Sequence, residues 1–106
     1  MAYYILDAEH QAVKVDLHTW AAWFENDTNR RVASTEINSE VWVSTVFLGL
    51  DHCFGGGPPV LFETMIFGGD RDSEMHRYST WDDAITNHEM IVKKMRSRYV
   101  KQGAKT

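Results

Sequence analysis

The sequence predicts an α+β domain in which a mostly antiparallel sheet of four to five strands packs two helices on one face. Three observations predict it: several short segments rich in β-branched and aromatic residues, short polar connections between the last four of them, and two segments with helical periodicity. The predicted order is β-α-β-β-β-β-α. A chain of 106 residues fits one domain. We assign it to residues 1–100, followed by a short basic tail at residues 101–106.

The strand predictions follow from side-chain alternation and from turn residues. The segment Tyr3–Ala8 is the predicted first strand, with Tyr3, Ile5 and Asp7 on one side, and we treat "HQAVK" after it as a connection. The surest strand is "EVWVSTVFLGL", because it is dense in β-branched and aromatic residues. Short connections favour antiparallel neighbours. We therefore predict a meander of four strands: Arg31–Ile37, Glu40–Leu50, Val60–Phe67 and Met75–Ser79.

Both predicted helices begin at a capping residue. Asp16 can cap a helix over Leu17–Glu25, with an apolar stripe at Leu17, Trp20, Ala21 and Phe24 that leaves Trp23 off the stripe. Thr80, followed three residues later by Asp83, resembles a capping box for a helix over Trp81–Tyr99. The apolar face of this second helix is continuous: Trp81, Ala84, Ile85, His88, Ile91, Val92, Met95 and Tyr99.

The two central strands are apolar on both faces, which bears on function. We assign Trp42, Val46, Leu48, Phe62 and Ile66 to one face, and Val43, Phe47, Leu61, Met65 and Phe67 to the other. Two helices can cover only one face of such a sheet. The sheet must either curl over a core or present its second face to another chain. We therefore expect a partner protein, or a homodimer formed through that second face.

Charge is unevenly distributed along the chain. Residues 1–92 carry a net charge of −10, and residues 93–106 carry +6. The basic residues 93–106 either complement the dipole of the last helix or form a strip of positive charge that contacts a partner. The acidic body argues against direct nucleic-acid binding. No apolar run approaches the length of a membrane span, and the single cysteine allows no intrachain disulfide. We expect a cytoplasmic protein without membrane contact.

The segment "DHCFGGGPP" gathers reactive residue types, but its order argues against chemistry. Neighbours in an extended segment point to opposite sides, so His52 is poorly placed to activate Cys53. The glycines lead into Pro58 and Pro59 rather than into the lysine and helix of a phosphate-binding loop. No histidine spacing demands a metal site. We predict a stiff hairpin loop with no metal and no cofactor, whose recognition residues are Asp51, His52 and Phe54.

The remaining candidates divide into structural and binding residues. We expect His88 to be a hydrogen-bonded core residue, because it lies on the apolar stripe of its helix. We expect Glu63 to form a cross-strand ion pair with Arg77. Trp23 and Met90 are our other predicted binding residues, since both fall off the apolar stripes of their helices. Trp42 is a further exposed aromatic that suits a protein-binding surface.

The block "VSTVFLGLDHCFGGGPPVLFETMIFGG", followed by "RYSTWDDAITNHEMIV", resembles a family of small proteins carried by tailed bacteriophages and prophages. The resemblance extends from "YYILD" to "NHEMIV" and excludes the basic tail. It implies no reaction, cofactor or catalytic residue. It does imply a phage accessory protein that acts in the bacterial cytoplasm. By analogy with other such proteins, it would bind and inhibit a host protein such as a CRISPR effector or another defence component.

Three functional hypotheses follow. The first is non-enzymatic binding to a host protein. The second is binding or sequestration of a small ligand such as a nucleotide signal, through a Gly-rich loop. The third is an enzyme built on His52, Cys53 or Glu63, which we consider the weakest because these residues form no coherent catalytic set.

Overall fold

The computed structural model describes residues 2–51 and 55–103, with side chains through residue 99. These residues form an α+β fold of six strands and three helices. In chain order the elements are β1 (Tyr3–Leu6), β2 (Ala12–Val15), α1 (Leu17–Phe24), α2 (Asp27–Arg30), β3 (Arg31–Glu36), β4 (Trp42–Phe47), β5 (Phe62–Phe67), β6 (Met75–Tyr78) and α3 (Trp81–Gly103).

The main sheet is the predicted antiparallel meander, with strand order β3-β4-β5-β6. Its turns are held by short-range contacts. The Asn38 carboxamide oxygen accepts hydrogen bonds from the backbone N–H groups of Glu40 and Val41, which closes the turn between β3 and β4. Gly68 ends β5 with a φ of 85°. A Cβ atom there would lie 1.8 Å from the Glu40 carbonyl oxygen, so only glycine fits.

The first strand does not join the main sheet as a full member. It pairs with β2, a strand that overlaps the segment that we predicted to be a connection, to form a separate two-stranded sheet. The Asp7 carboxylate organises their turn by accepting hydrogen bonds from the N–H groups of Glu9 and Gln11. A single bridge between Tyr3 and Leu50 links the hairpin to the chain beyond β4. The short helix α2 was also not predicted.

Helix α3 covers one face of the main sheet, which we call the inner face. The Thr80 hydroxyl accepts a hydrogen bond from the Asp83 N–H at 3.1 Å, as the capping prediction requires. Every residue of the predicted apolar stripe is buried or half-buried. The stripe packs on two apolar clusters, whose buried members are Leu6, Phe47, Leu61, Phe62 and Ala84 in one, and Val41, Val43, Ile66, Val92 and Met95 in the other.

Our assignment of side chains to the two sheet faces was wrong for β5 relative to β4. The register pairs Val43 with Ile66 and Phe47 with Phe62, so these four side chains share the inner face. Trp42 instead pairs with Phe67. Side-chain alternation divides the residues of one strand between its two faces. Which face of one strand matches which face of the next depends on the pairing register, and that register depends on the connection.

Helix α1 begins at the predicted cap but packs on a different stripe. The Asp16 carboxylate accepts a hydrogen bond from the Thr19 N–H at 2.7 Å, and this bond lowers the pKa of Asp16. Leu17, however, is 49% exposed. The packed face consists of three half-buried aromatic residues, Trp20, Trp23 and Phe24.

Candidate functional site

The opposite face of the main sheet, which we call the outer face, is not covered by any described helix. Residues of α3 and α1 that reach the sheet contact inner-face side chains such as Thr45 and Phe47. Neither apolar cluster includes an outer-face residue. By the strand register, the outer face consists of Arg31, Ser34, Glu36, Trp42, Ser44, Val46, Glu63, Met65, Phe67, Met75 and Arg77.

An aromatic pair forms one end of the outer face. Trp42 and Phe67 are cross-strand partners, and their rings stack with centroids 5.1 Å apart and planes inclined by 15°. Trp42 nevertheless keeps 45% of its surface exposed. Met65 and Met75, which are paired between β5 and β6, continue the apolar surface. Large apolar side chains in a contiguous, solvent-facing group are typical of an interaction surface.

An ion pair borders the far end of this surface. The Arg77 Nε atom donates a hydrogen bond to a Glu63 carboxylate oxygen at 3.0 Å, which confirms the predicted cross-strand pair. The charges of Glu63 and Arg77 therefore neutralise each other. The glutamate is therefore a structural residue in this conformation and not an isolated acid available for proton transfer.

The end that carries Trp42 has a different charge. Glu36 lies directly across from Trp42 in the strand ladder, so their side chains share the outer face. Glu40 precedes Trp42 by two residues, while Val41 and Val43 both lie in the buried cluster. Glu40 itself lies in the turn that leads into β4, and it is exposed. Within the described part of the chain, neither Glu36 nor Glu40 forms an ion pair.

The predicted recognition loop is only partly within the described residues. The Asp51 carboxylate accepts a hydrogen bond from the Val60 N–H at 3.0 Å and so joins the two ends of the loop. Gly56 adopts a φ of 80° in the turn. His52 and Phe54 lie outside the described residues, as does Cys53. Asp51 thus supports the predicted hairpin loop as a structural residue at its base.

The structure separates the other two predicted binding residues. Trp23 is half-buried, and its ring packs edge-on against Phe47 with centroids 5.6 Å apart. Met90 is 62% exposed and borders a groove of about 180 Å³ between β6 and α3. Trp23 borders a different cavity, next to the β1–β2 turn, and the two cavities share no residue. They do not form one site.

Sequence reasoning missed the partners of Trp42. It singled out this tryptophan but placed Phe67 and Met65 on the opposite face and did not consider Glu36. The turn at Asn38 and Ser39 was a usable signal, because a correct hairpin register across it places Glu36 next to Trp42.

His88 lies at the centre of a polar chain that crosses the inner face. Its Nε2 atom is 2.9 Å from the Thr35 hydroxyl oxygen, and its Nδ1 atom is 2.7 Å from that of Thr45. The Thr45 and Thr64 hydroxyl oxygens are 2.5 Å apart. Burial lowers the pKa of His88, because desolvation disfavours the imidazolium. Both ring nitrogens are occupied, so His88 is a core residue as predicted.

A second groove, of about 380 Å³, lies next to the Gly–Pro loop and is bordered by Pro58, Pro59 and Trp81. The His10 ring stacks on the Trp81 ring with centroids 3.8 Å apart and planes inclined by 7°. His10 holds a φ of 62°, a backbone conformation that is uncommon outside glycine. The contact therefore fixes the β1–β2 turn against the first turn of α3.

The described ranges 2–51 and 55–103 hold no group of three or more histidine, cysteine or acidic side chains that could bind a metal ion. Their helices also lack a segment long and apolar enough to span a membrane.

Comparisons of the chain with protein families, with curated proteins and with solved structures give no match.

Proposed function

We propose that this protein is a non-enzymatic binding protein that docks a partner protein on the outer face of its sheet. The observation that carries the proposal is the stacked pair of Trp42 and Phe67, which is solvent-facing on a sheet face that the described helices leave uncovered. Buried aromatic anchors account for much of the energy of protein interfaces, and tryptophan is enriched among them. A sheet with one helix-covered face and one apolar open face suits this role.

The resemblance of the sequence to small phage and prophage proteins makes bacterial defence proteins the first partner class to test. In this proposal the protein acts in the host cytoplasm, where it binds a CRISPR effector or another defence enzyme and blocks it. A surface with a net charge of −10 over residues 1–92 suits a target that presents a basic groove.

The test is a phage-protection assay in bacteria that carry one active defence system each. We expect expression of the wild-type chain to restore plaque formation by a targeted phage in at least one strain. The double variant W42S/F67S should lose this rescue while it retains its helical circular dichroism and cooperative unfolding. The variant L17S removes an exposed apolar side chain from α1, away from the outer face, and should rescue as well as wild type.

Two results would contradict the proposal. In the first, the wild-type chain rescues no phage and binds none of the purified defence effectors of those strains. In the second, the folded W42S/F67S variant inhibits as well as wild type, which would move the site away from the outer face.

Small-ligand binding is a second candidate function, and the groove next to Pro58 and Pro59 favours it. Its volume of about 380 Å³ falls within the range of small-molecule sites. The stack of His10 on Trp81 already occupies one ring face, which leaves less aromatic surface for a base. A ligand that binds only the folded state must raise the melting temperature, so a thermal-shift panel of cyclic nucleotides tests this alternative.

A further inference from the structure

We infer that the outer face recognises an arginine side chain of a basic protein segment, seated on Trp42 beside Glu36 and Glu40. The inference rests on the proposed function, because it names the chemistry of the partner at the same surface. The arrangement combines three features: an exposed indole, a second ring that supports it, and two carboxylates without an ion-pair partner in the described residues.

The indole of Trp42 is held in place before any partner binds. Phe67 stacks against it, and both residues lie on the two central strands of the sheet. A guanidinium group binds the face of a tryptophan ring more favourably than that of tyrosine or phenylalanine. Because the indole is already oriented, binding loses little side-chain entropy. The exposed 45% of Trp42 is the surface available for this contact.

The carboxylates of Glu36 and Glu40 supply the charge that a guanidinium requires. Arginine donates up to five N–H groups from a planar fork, so it can stack on a ring and hydrogen-bond a carboxylate at once. Lysine presents a strongly hydrated point charge and cannot do both equally well. Among the described side chains, which end at residue 99, none forms an ion pair with Glu36. We assign this carboxylate to the guanidinium of a partner.

The chain already contains one such contact. The guanidinium carbon of Arg30 lies 4.7 Å from the centroid of the Phe24 ring, and the same guanidinium donates to the Asp27 carboxylate. An aromatic face and an adjacent carboxylate thus hold an arginine within this molecule. The outer face presents the same combination, with a tryptophan and two acids, on a surface open to another chain.

The size of the outer face favours a partner segment over a second copy of the chain. Strands about 4.8 Å apart and about 3.3 Å long per residue give the four-stranded face an area of about 400 Å². A stable interface buries about 800 Å² on each partner. A second copy that placed its Trp42 against this Trp42 would also bring its own Glu36 and Glu40 into the same interface and add like charges. A short basic segment meets neither obstacle.

The test is an NMR titration with three synthetic peptides that differ at one position: a Gly-Leu-X-Leu-Gly peptide in which X is arginine, lysine or citrulline. Citrulline keeps the planar shape of arginine but has no charge. We expect the arginine peptide to shift the Trp42 indole N–H and the Phe67 ring signals. It should bind at least about tenfold more tightly than the citrulline peptide and more tightly than the lysine peptide.

Two double variants separate the contribution of the charges from general acidity. E36Q/E40Q should weaken binding of the arginine peptide at least about tenfold. E9Q/E25Q removes two exposed acids from other parts of the surface and should bind as wild type does. The inference is overturned if arginine and citrulline peptides bind equally, if the shifted signals lie away from Trp42, or if the arginine peptide does not bind.

The phage-protection assay distinguishes failure of this inference from failure of the proposed function. If W42S/F67S loses the rescue while E36Q/E40Q retains it fully, the outer face is the docking surface and the arginine contact is wrong. If both double variants rescue as well as wild type, the proposed function is wrong at this surface.

Discussion

The Nδ1 atom of His88 lies 2.7 Å from the hydroxyl oxygen of Thr45, and this contact joins α3 to the centre of the sheet. A neutral imidazole has one donor and one acceptor nitrogen, while a threonine hydroxyl can serve as either. The chain through Thr35, His88, Thr45 and Thr64 is therefore hydrogen-bonded throughout without any buried charge. Burial of the imidazole lowers its pKa, so the stability of the folded protein depends on pH through this residue.

Stability should fall as the pH decreases below about 6.5, the ordinary pKa of histidine. Above that value His88 is neutral in both the folded and the unfolded state, so its burial does not make the free energy of unfolding depend on pH. Below it the unfolded chain binds a proton that the folded chain excludes until its lowered pKa is reached. One proton changes the free energy of unfolding by at most about 1.4 kcal/mol per pH unit.

Urea denaturation at a series of pH values between 7.5 and 5 measures this effect. The variant H88Q cannot titrate at this position, so the pH dependence of its stability should be smaller than that of wild type. H18Q alters an exposed histidine on α1 and is the matched control. Equal slopes for H88Q and wild type would refute the prediction.

Thr45→Val should destabilise the protein by about 1–3 kcal/mol, even though valine has nearly the same shape. It leaves the Nδ1 atom of His88 and the Thr64 hydroxyl without their shared partner in a buried region. Thr45→Ser keeps the hydroxyl and should cost less, about the value of one buried methyl group, near 1 kcal/mol. Chemical denaturation of both variants at pH 7.5 compares them. A valine variant as stable as wild type would show that the polar chain contributes nothing.

Gly68→Ala should destabilise by more than about 2 kcal/mol, because the left-handed backbone alone costs about 1–2 kcal/mol in a residue with a side chain. The new Cβ atom would also lie 1.8 Å from the Glu40 carbonyl oxygen, a backbone atom that cannot rotate away. Gly55→Ala is the matched control, since no described residue lies within 4 Å of its Cβ position and its φ is not positive. Its effect should stay within about 1 kcal/mol. Thermal unfolding of the two variants decides whether the two glycines differ.

Trp23→Ala and Met90→Ala should separate the two residues that the sequence placed together as binding candidates. Trp23 packs on Phe47, so its truncation should cost about 2–3 kcal/mol of folding stability. Met90 is 62% exposed, and its truncation should change stability by less than about 0.5 kcal/mol. Denaturation of both variants is the measurement. Equal stability losses would mean that Trp23 does not belong to the core.

Individual elements were the most predictable part of this protein. The capping residues Asp16 and Thr80 make the predicted hydrogen bonds, and the stripe of α3 is buried or half-buried along its whole predicted length. These features depend on residues at most four positions apart, so local chemistry determines them. The packed side of α1 was less predictable. Leu17 fits the helical period but lies where the described residues leave it exposed.

The candidate site could be predicted only in part. Trp42 was recognisable as an exposed aromatic on a strand, and Glu63 as the partner of Arg77. The stack of Trp42 on Phe67 was not, because it depends on how β4 and β5 are aligned across a connection of fourteen residues between Phe47 and Phe62. That segment includes "DHCFGGGPP", whose shape the sequence does not specify, and a shift of one residue reverses the faces.

The sequence by itself determined the α+β class, the order of the meander, the helix starts and the apolar face of α3. Each of these rests on periodicity or on contacts between near neighbours. Only the tertiary structure decided that β1 pairs with β2, that His88 lies between the hydroxyl groups of Thr35 and Thr45, and that Trp42, Phe67 and Glu36 meet on the uncovered face. The reason is physical: these contacts join residues that are distant in the chain, and their alignment follows from packing of the whole domain rather than from local propensity.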